Sequence, residues 1–281
     1  KLSRHNFSEW CQNPDRETLV MGIINVTPDS FSDGGKYFTK NSAVNHAMSL
    51  INDGADILDI GGESSRPGAA PISVKDELNR IIPVIKLIRR TDSVVLISID
   101  TTKSVVAKQA VEAGADIVND ISGFSLDKNM PSVVSSLDVP VVLMHMKGTP
   151  LTMQKKPHYD NLVGEISSFF LSQINVAKSA GIKTEKIILD PGIGFGKTID
   201  HNFTIIQKLN EFCELGYPVL IGPSRKAFIG SILDLPSHDR IEGTAAAISA
   251  GILNGARIVR VHDVKEMKRV VTITEKIRTA A

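Results

Sequence analysis

Short runs of aliphatic, often β-branched residues recur along this chain, each followed by a polar or glycine-rich stretch and then by a longer segment of helical periodicity. That alternation predicts βαβ units and a parallel sheet. The runs fall at 20–25, 57–60, 94–100, 117–120, 139–144, 187–190, 219–221 and 258–261. Predicted helices cover 42–52, 74–90, 104–113, 129–136, 161–180, 201–215, 240–254 and 265–279. Eight strand–helix units in 281 residues fit one closed (βα)8 TIM barrel better than two domains. The expectation is a single domain over 1–281, with 1–18 as an N-terminal extension.

Gly54-Ala-Asp56, Gly114-Ala-Asp116 and Gly255-Ala-Arg257 each close a helical pattern just before an apolar run. Glycine there suits the left-handed turn that ends a helix, so the repeat marks the end of the barrel with short αβ turns. Segments 27–40, 61–73 and 147–160 are instead long and rich in Gly, Pro and Ser. They read as βα loops on the catalytic face.

Composition narrows the function. The 32 Lys and Arg nearly cancel the 31 Asp and Glu, and aromatics make up 5%. A nucleic-acid binder would show a basic stripe with stacking side chains, so no nucleic-acid partner is expected. The apolar runs are far shorter than the ~20 residues of a spanning helix, so no membrane partner is expected either. Cys11 and Cys213 form no CxxC or Cys/His cluster, which argues against a disulfide scaffold or zinc site and for a cytoplasmic protein.

In such a barrel the strand tips share one mouth. They are Asn25, Asp59, Asp100, Asn119 with Asp120, His145, Asp190, Ser224 with Arg225 and Lys226, and Arg260 with His262. Acids and amides dominate the first six and cations the last two. This division predicts a bipolar ligand, with a donor-rich flat ring on one side and an anion on the other. Asp190 can accept two parallel hydrogen bonds from a planar N–C–N edge, and Asp100 and Asn119 can read the rest of the ring. Helix capping is the competing explanation for any single tip. The segment Pro191-Gly-Ile-Gly-Phe-Gly-Lys-Thr198 narrowly misses a phosphate-binding loop, having Pro191 where Gly is required. Its glycines suit close backbone approach to a flat ligand, with Phe195 packing on a ring. Arg260 and His262 lie where barrels often hold phosphate, and Asn25 offers an amide oxygen to Mg2+ held mainly by substrate phosphates. His145 reads as structural.

Seven motifs in order carry a family resemblance: Met21-Gly-Ile-Ile-Asn-Val-Thr-Pro-Asp-Ser-Phe-Ser-Asp-Gly-Gly35, Asp59-Ile-Gly-Gly-Glu-Ser-Ser-Arg-Pro-Gly68, Ser98-Ile-Asp-Thr101, Asn119-Asp-Ile-Ser-Gly123, Asp190-Pro-Gly-Ile-Gly-Phe-Gly196, Ser224-Arg-Lys226 and Arg260-Val-His-Asp263. With them the chain closely resembles the dihydropteroate synthases, the sulfonamide targets of folate biosynthesis. The resemblance implies transfer of 6-methylene-7,8-dihydropterin from its diphosphate ester to p-aminobenzoate. It implies that Asp100, Asp190, Lys226, Arg260 and His262 carry the chemistry. Asp100, Asn119, Asp190 and Lys226 would bind the pterin. Asn25, Arg66, Arg260 and His262 would bind the diphosphate, with Mg2+ on Asn25. Ser65, Pro67, Phe195 and Lys226 would frame the aminobenzoate, and the loop containing Asp33 would close over the reactants. A cytoplasmic homodimer is implied as well, with helices 240–254 and 265–279 as candidate interface. Relatives often carry Thr where Ser65 stands, which keeps the hydroxyl and loses a methyl. The rival reading, a pterin-binding methyltransferase barrel, shares the acidic tips but does not need the Ser-Arg-Lys and Arg-Val-His motifs. A non-catalytic pterin-binding barrel or scaffold is the other alternative, and the anion-binding and loop motifs argue against it.

Overall fold

The computed structural model describes residues 2, 6–27 and 36–280, with the side chains of 36–40 left aside. Eight parallel strands form a closed barrel in chain order. They are β1 Leu19–Asn25, β2 Ile57–Gly61, β3 Leu96–Asp100, β4 Ile117–Asp120, β5 Val141–Met144, β6 Ile187–Asp190, β7 Val219–Ile221 and β8 Ala256–Val261. Closure is by β8 on β1, with Leu19 paired to Ile258 and Gly22 to Val261. The helices are α1 Phe7–Gln12, α2 Lys36–Asn52, α3 Val74–Thr91, α4 Ser104–Ala113, α5 Met130–Leu137, α6 Leu162–Ser179, α7 Ile199–Gln207, α8 Leu209–Cys213, α9 Ala227–Leu233, α10 Ile241–Leu253 and α11 Val264–Arg278.

The expected barrel is present, and the departures from the sequence reading have local causes. β3 starts at Leu96, not Val94, because Asp92 Oδ1 accepts the N–H groups of Val94 and Val95 at 2.7 and 2.8 Å. β5 starts at Val141, just after Pro140, which has no N–H to give a ladder. The helix expected over 201–215 is two, α7 and α8, divided at Lys208 (φ −103°, ψ 23°). Two helices were not expected, α1 and α9.

Helix α1 turns the N-terminal extension into part of the core. Phe7, Trp10 and Cys11 pack with Leu19, Met21, Ile57, Leu96, Ile117, Val142, Ile188, Leu220 and Ile258, and so plug the end of the barrel where the strands begin. Trp10 Nε1 donates to Glu17 O at 2.9 Å, which satisfies its buried donor. At this same end Gly54, Gly114 and Gly255 take the left-handed conformation the sequence predicts, with φ of 100°, 123° and 112°. Asp56 and Asp116, two residues after the first two of these, accept the N–H groups of Val20 and Ile97 and so fix neighbouring strands.

The period of two along a strand then places the site. Met21, Ile57, Leu96, Ile117, Ile188 and Ile258 fill the barrel's apolar floor, so the residues two further on face the same interior. These are Ile23, Asp59, Ser98, Asn119, Asp190 and Arg260. Intervening residues such as Leu58, Ile97, Val118 and Val259 belong to the second core, between barrel and helices. One apolar floor thus carries one polar layer directly above it.

Candidate active site

Asp59 organises that layer. It is completely buried. Its Oδ2 accepts from Arg260 Nε at 2.6 Å and from Asn119 Nδ2 at 3.1 Å. Arg260 Nη2 donates in turn to Asp100 Oδ2 at 2.9 Å. Asp59 is one of the strand tips of the sequence, without a role assigned there. The available signal was its period-two relation to Gly61, which lies opposite Asp100. Among the described residues Asp59 Oδ1, Ser98 Oγ and Asn119 Oδ1 are buried without a hydrogen-bond partner, on strands that adjoin one another. Buried polar atoms are seldom left so. Donors supplied by a ligand or by water would satisfy them.

Charge in the layer is set by burial. Burial and the neighbouring Asp59 push Asp100 up to about 7, against the pull of Arg260. Asp190 is pushed up to about 6 by burial, opposed by the Gly192 N–H that its Oδ1 accepts at 2.7 Å and by the cations around it. Lys226 is drawn down to about 8 by burial and by Arg260. Arg260 keeps its charge firmly, since Asp59 and Asp100 outweigh the cost of burial.

After β6 the chain makes a tight turn with Gly192, Gly194 and Gly196 at φ of 70°, 82° and 63°. A Cβ on Gly192 would lie 2.0 Å from His145 O, so only glycine lets this loop lie against the tip of β5. The turn carries Phe195 under Lys226, whose Nζ stands 4.1 Å from the ring centroid. Asp100, Asn119, Asp190, Phe195, Lys226 and Arg260 therefore line one pocket, which joins residues the sequence assigns to the pterin, the aminobenzoate and the diphosphate. The free space there is narrow, about 20 Å³, which is room for a water molecule. A larger apolar cavity of about 270 Å³ opens beside it, bordered by the loops after β2 and β5, and shares Ser65, Asp100 and Ile121 with the first.

At Arg260 the structure departs from the two-sided sorting of charge expected from the sequence. Arg260 sits among the carboxylates, because its two ion pairs to Asp59 and Asp100 draw it across the mouth from β8. Arg225 pairs with Asp263. Of the expected anion side, His262 remains in place. Its Nδ1 is 3.0 Å from Ser224 Oγ, and burial next to Arg260 and Arg225 lowers it to about 3. A neutral ring that accepts from Ser224 at Nδ1 carries its proton on Nε2, ready to donate. Asn25 ends β1, half-buried. Ser65 borders both cavities, whereas Arg66 and Pro67 are exposed on their loop and line neither. Asp33 lies outside the described residues. Among the described residues no group of three His, Cys, Asp or Glu side chains could hold a metal ion. His145 is buried against Phe169, as expected of a structural histidine.

Comparison with known proteins follows the same lines. A family model described as pterin binding enzyme matches residues 21–262. The dihydropteroate synthase of Bacillus subtilis is 50% identical over 253 residues, 90% of this chain and 86% of that protein. A crystal structure of dihydropteroate synthase from Clostridium difficile in the presence of pteroic acid superposes with a TM-score of 0.88 at 45% identity, covering 94% of this chain and 97% of that one. The Yersinia pestis enzyme in a sulfonamide drug complex gives a TM-score of 0.89 at 41% identity, covering 94% and 95%.

Proposed function

The chain belongs to the pterin binding enzymes, as a dihydropteroate synthase of folate synthesis, and from that membership we propose how its residues share the reaction. The enzyme transfers the 6-methylene-7,8-dihydropterin group from its diphosphate ester to the amine of p-aminobenzoate, releasing diphosphate. The observation that carries the assignment of roles is the pocket shared by Asp100, Asn119, Asp190, Phe195, Lys226 and Arg260. The pterin lies on the polar layer, its N–C–N edge against Asp190 and its remaining donors on Asn119 and Asp100. Its diphosphate points to His262 Nε2, to the Nη1 of Arg260 that the carboxylates leave over, and to Arg66 from the loop above. The aminobenzoate ring packs on Phe195 between Ser65, Pro67 and Lys226. The loop containing Asp33 closes over both substrates and keeps water out.

Magnesium fits this donor set as a companion of the substrate. The amide oxygen of Asn25, with no metal-holding carboxylate cluster among the described residues, suits an ion held mostly by phosphates and water. Bound there, it would neutralise charge on the departing diphosphate. The protein's own part is electrostatic. Arg260 and His262 donate to the leaving group as its charge grows, while Asp100 and Asp190 stabilise the cation that develops on the methylene. The displacement is SN1-like and needs no covalent enzyme intermediate. A secondary deuterium rate effect at the methylene is expected when chemistry is limiting, and its absence would remove the cationic step. We also place the enzyme in the cytoplasm as a homodimer. The unpaired Cys11 and Cys213 support the first. Exposed Ile232, Leu253, Ile273 and Ile277 on α9 to α11 support the second.

The deciding assay mixes the protein with 6-hydroxymethyl-7,8-dihydropterin diphosphate, p-aminobenzoate and Mg2+. Diphosphate is expected only when p-aminobenzoate is present. Pterin binding without turnover would refute the reading.

A further inference from the structure

Lys197 has no part in the reaction above, yet it is 3% exposed, with its Nζ beside Gly192 in the turn that carries Phe195 into the pocket. Its Nζ is 3.0 Å from His145 Nδ1, 3.2 Å from His145 O and 3.0 Å from Phe195 O. Three acceptors match the three N–H groups of an ammonium, and none of them is a carboxylate. A buried ammonium without a bonded carboxylate is costly, so the surroundings must supply the opposite charge. Asp190 supplies it. Each favours the charged form of the other, although their head groups are not hydrogen-bonded, and burial still draws Lys197 down to about 7. The bond from Lys197 also requires a neutral His145 with its proton on Nε2. Burial and the adjacent Lys197 enforce that, holding His145 down to about 3.

These bonds also fix geometry. His145 ends the run through β5, and Phe195 belongs to the turn after β6, so one ammonium ties both to the same point. Between them Gly192 gives its N–H to Asp190 and has no room for a side chain against His145 O. The orientation of Asp190 and the placing of Phe195 therefore have a common anchor.

We propose that Lys197 is a positioning residue of the pterin site, tying the tip of β5 to the turn after β6 and keeping Asp190 in the carboxylate form that receives the ring's N–H edge. The inference rests on the reading of Asp190 as the pterin's main partner. The charged and titratable groups facing this pair are His145 after β5, His201 on α7, Lys226 after β7, Arg260 on β8 and, through Lys226 and Arg260, Asp100 on β3; Lys147 after β5 acts on it through His145.

The test measures binding of 6-hydroxymethylpterin to the full chain between pH 5 and 7, in wild type, Lys197→Met, Lys197→Gln and Asp190→Asn. In wild type, affinity falls as the pH drops through the titration of Asp190. Removing the neighbouring positive charge makes Asp190 easier to protonate, so both Lys197 variants should lose affinity at higher pH than wild type. A midpoint shift of about one unit corresponds to about tenfold weaker binding at the acid end. Lys197→Gln keeps a donor for the two carbonyls, so the same shift in that variant assigns the effect to charge and covers the case where Lys197→Met fails to fold. A uniform loss at every pH, or an unchanged midpoint, with Asp190→Asn impaired would overturn the inference alone. Wild-type affinity in Asp190→Asn would overturn the pterin assignment itself.

Discussion

The residue the barrel layer depends on most is Asp59, and Asp59→Asn tests that dependence. The substitution is nearly isosteric, so no cavity opens and the effect is electrostatic. In the native layer, Asp59 Oδ2 accepts from Arg260 at 2.6 Å and from Asn119 at 3.1 Å. An asparagine can keep one of these as a neutral hydrogen bond but not the ion pair. Arg260 retains Asp100, so the full penalty for a stranded buried charge is not incurred, and the loss is one charge-assisted bond, about 1.5–3 kcal/mol. At about 2–4 °C per kcal/mol for a chain of this size, the melting temperature should fall by about 3–12 °C. A second effect runs the other way. Asp59 is one of the causes that raise Asp100, so without its charge Asp100 ionises at lower pH. Calorimetry gives the first effect, and the pH dependence of apo stability gives the second. Loss of the carboxyl proton that folding retains should make stability fall with rising pH in an earlier, more acidic window than in wild type. An unchanged melting temperature together with an unchanged pH profile would refute the view of Asp59 as organiser of the site.

Gly192→Ala should cost at least about 2 kcal/mol, since an L residue at φ of 70° is strained and its Cβ would collide with His145 O, so denaturant titration should show a clear loss together with weaker pterin binding. Phe195→Ala should raise KM for p-aminobenzoate about tenfold while pterin affinity stays within about threefold, because the ring serves the second substrate. Equal losses for both ligands in steady-state and binding assays would contradict that division. His262 is held neutral to about 3 in the fold, whereas an unfolded chain protonates it near its ordinary value. Its contribution to stability is therefore complete above that ordinary value and lost as pH falls toward 3, and His262→Gln should flatten the acid limb of the stability profile.

Much of the fold was legible because its signals are local. Aliphatic runs bounded by Gly and Asp mark strands, and the Gly54, Gly114 and Gly255 turns mark one end of the barrel. Boundaries slipped where a side chain or a proline competes for backbone hydrogen bonds, as at Asp92 and Pro140. Helix α1 was not legible, since six residues with Phe7, Trp10 and Cys11 gain their role only from a barrel end waiting to be filled. In the site, Asp100, Asn119, Asp190, Lys226 and Arg260 share a pocket because each lies at or just past a strand end, which position in the sequence shows. What position could not give was the direction of long side chains. Arg260, read as the core of an anion side, reaches instead to Asp59 and Asp100. Truncating it should therefore weaken the bare pterin as well as its diphosphate, whereas separated charge halves would have spared the pterin. The roles of Asp59 and Lys197 carry no such signal, because Asp59 meets Arg260 and Asn119, and Lys197 meets His145, only across the folded barrel.

The most direct test of the whole account is a structure of this protein with pteroic acid bound. The account predicts the pterin edge within hydrogen-bond distance of Asp190 and Asn119, with the benzoate ring against Phe195 and Lys226. A pterin lodged instead in the 270 Å³ cavity beside Leu126 and Leu151, away from Asp190, would contradict it.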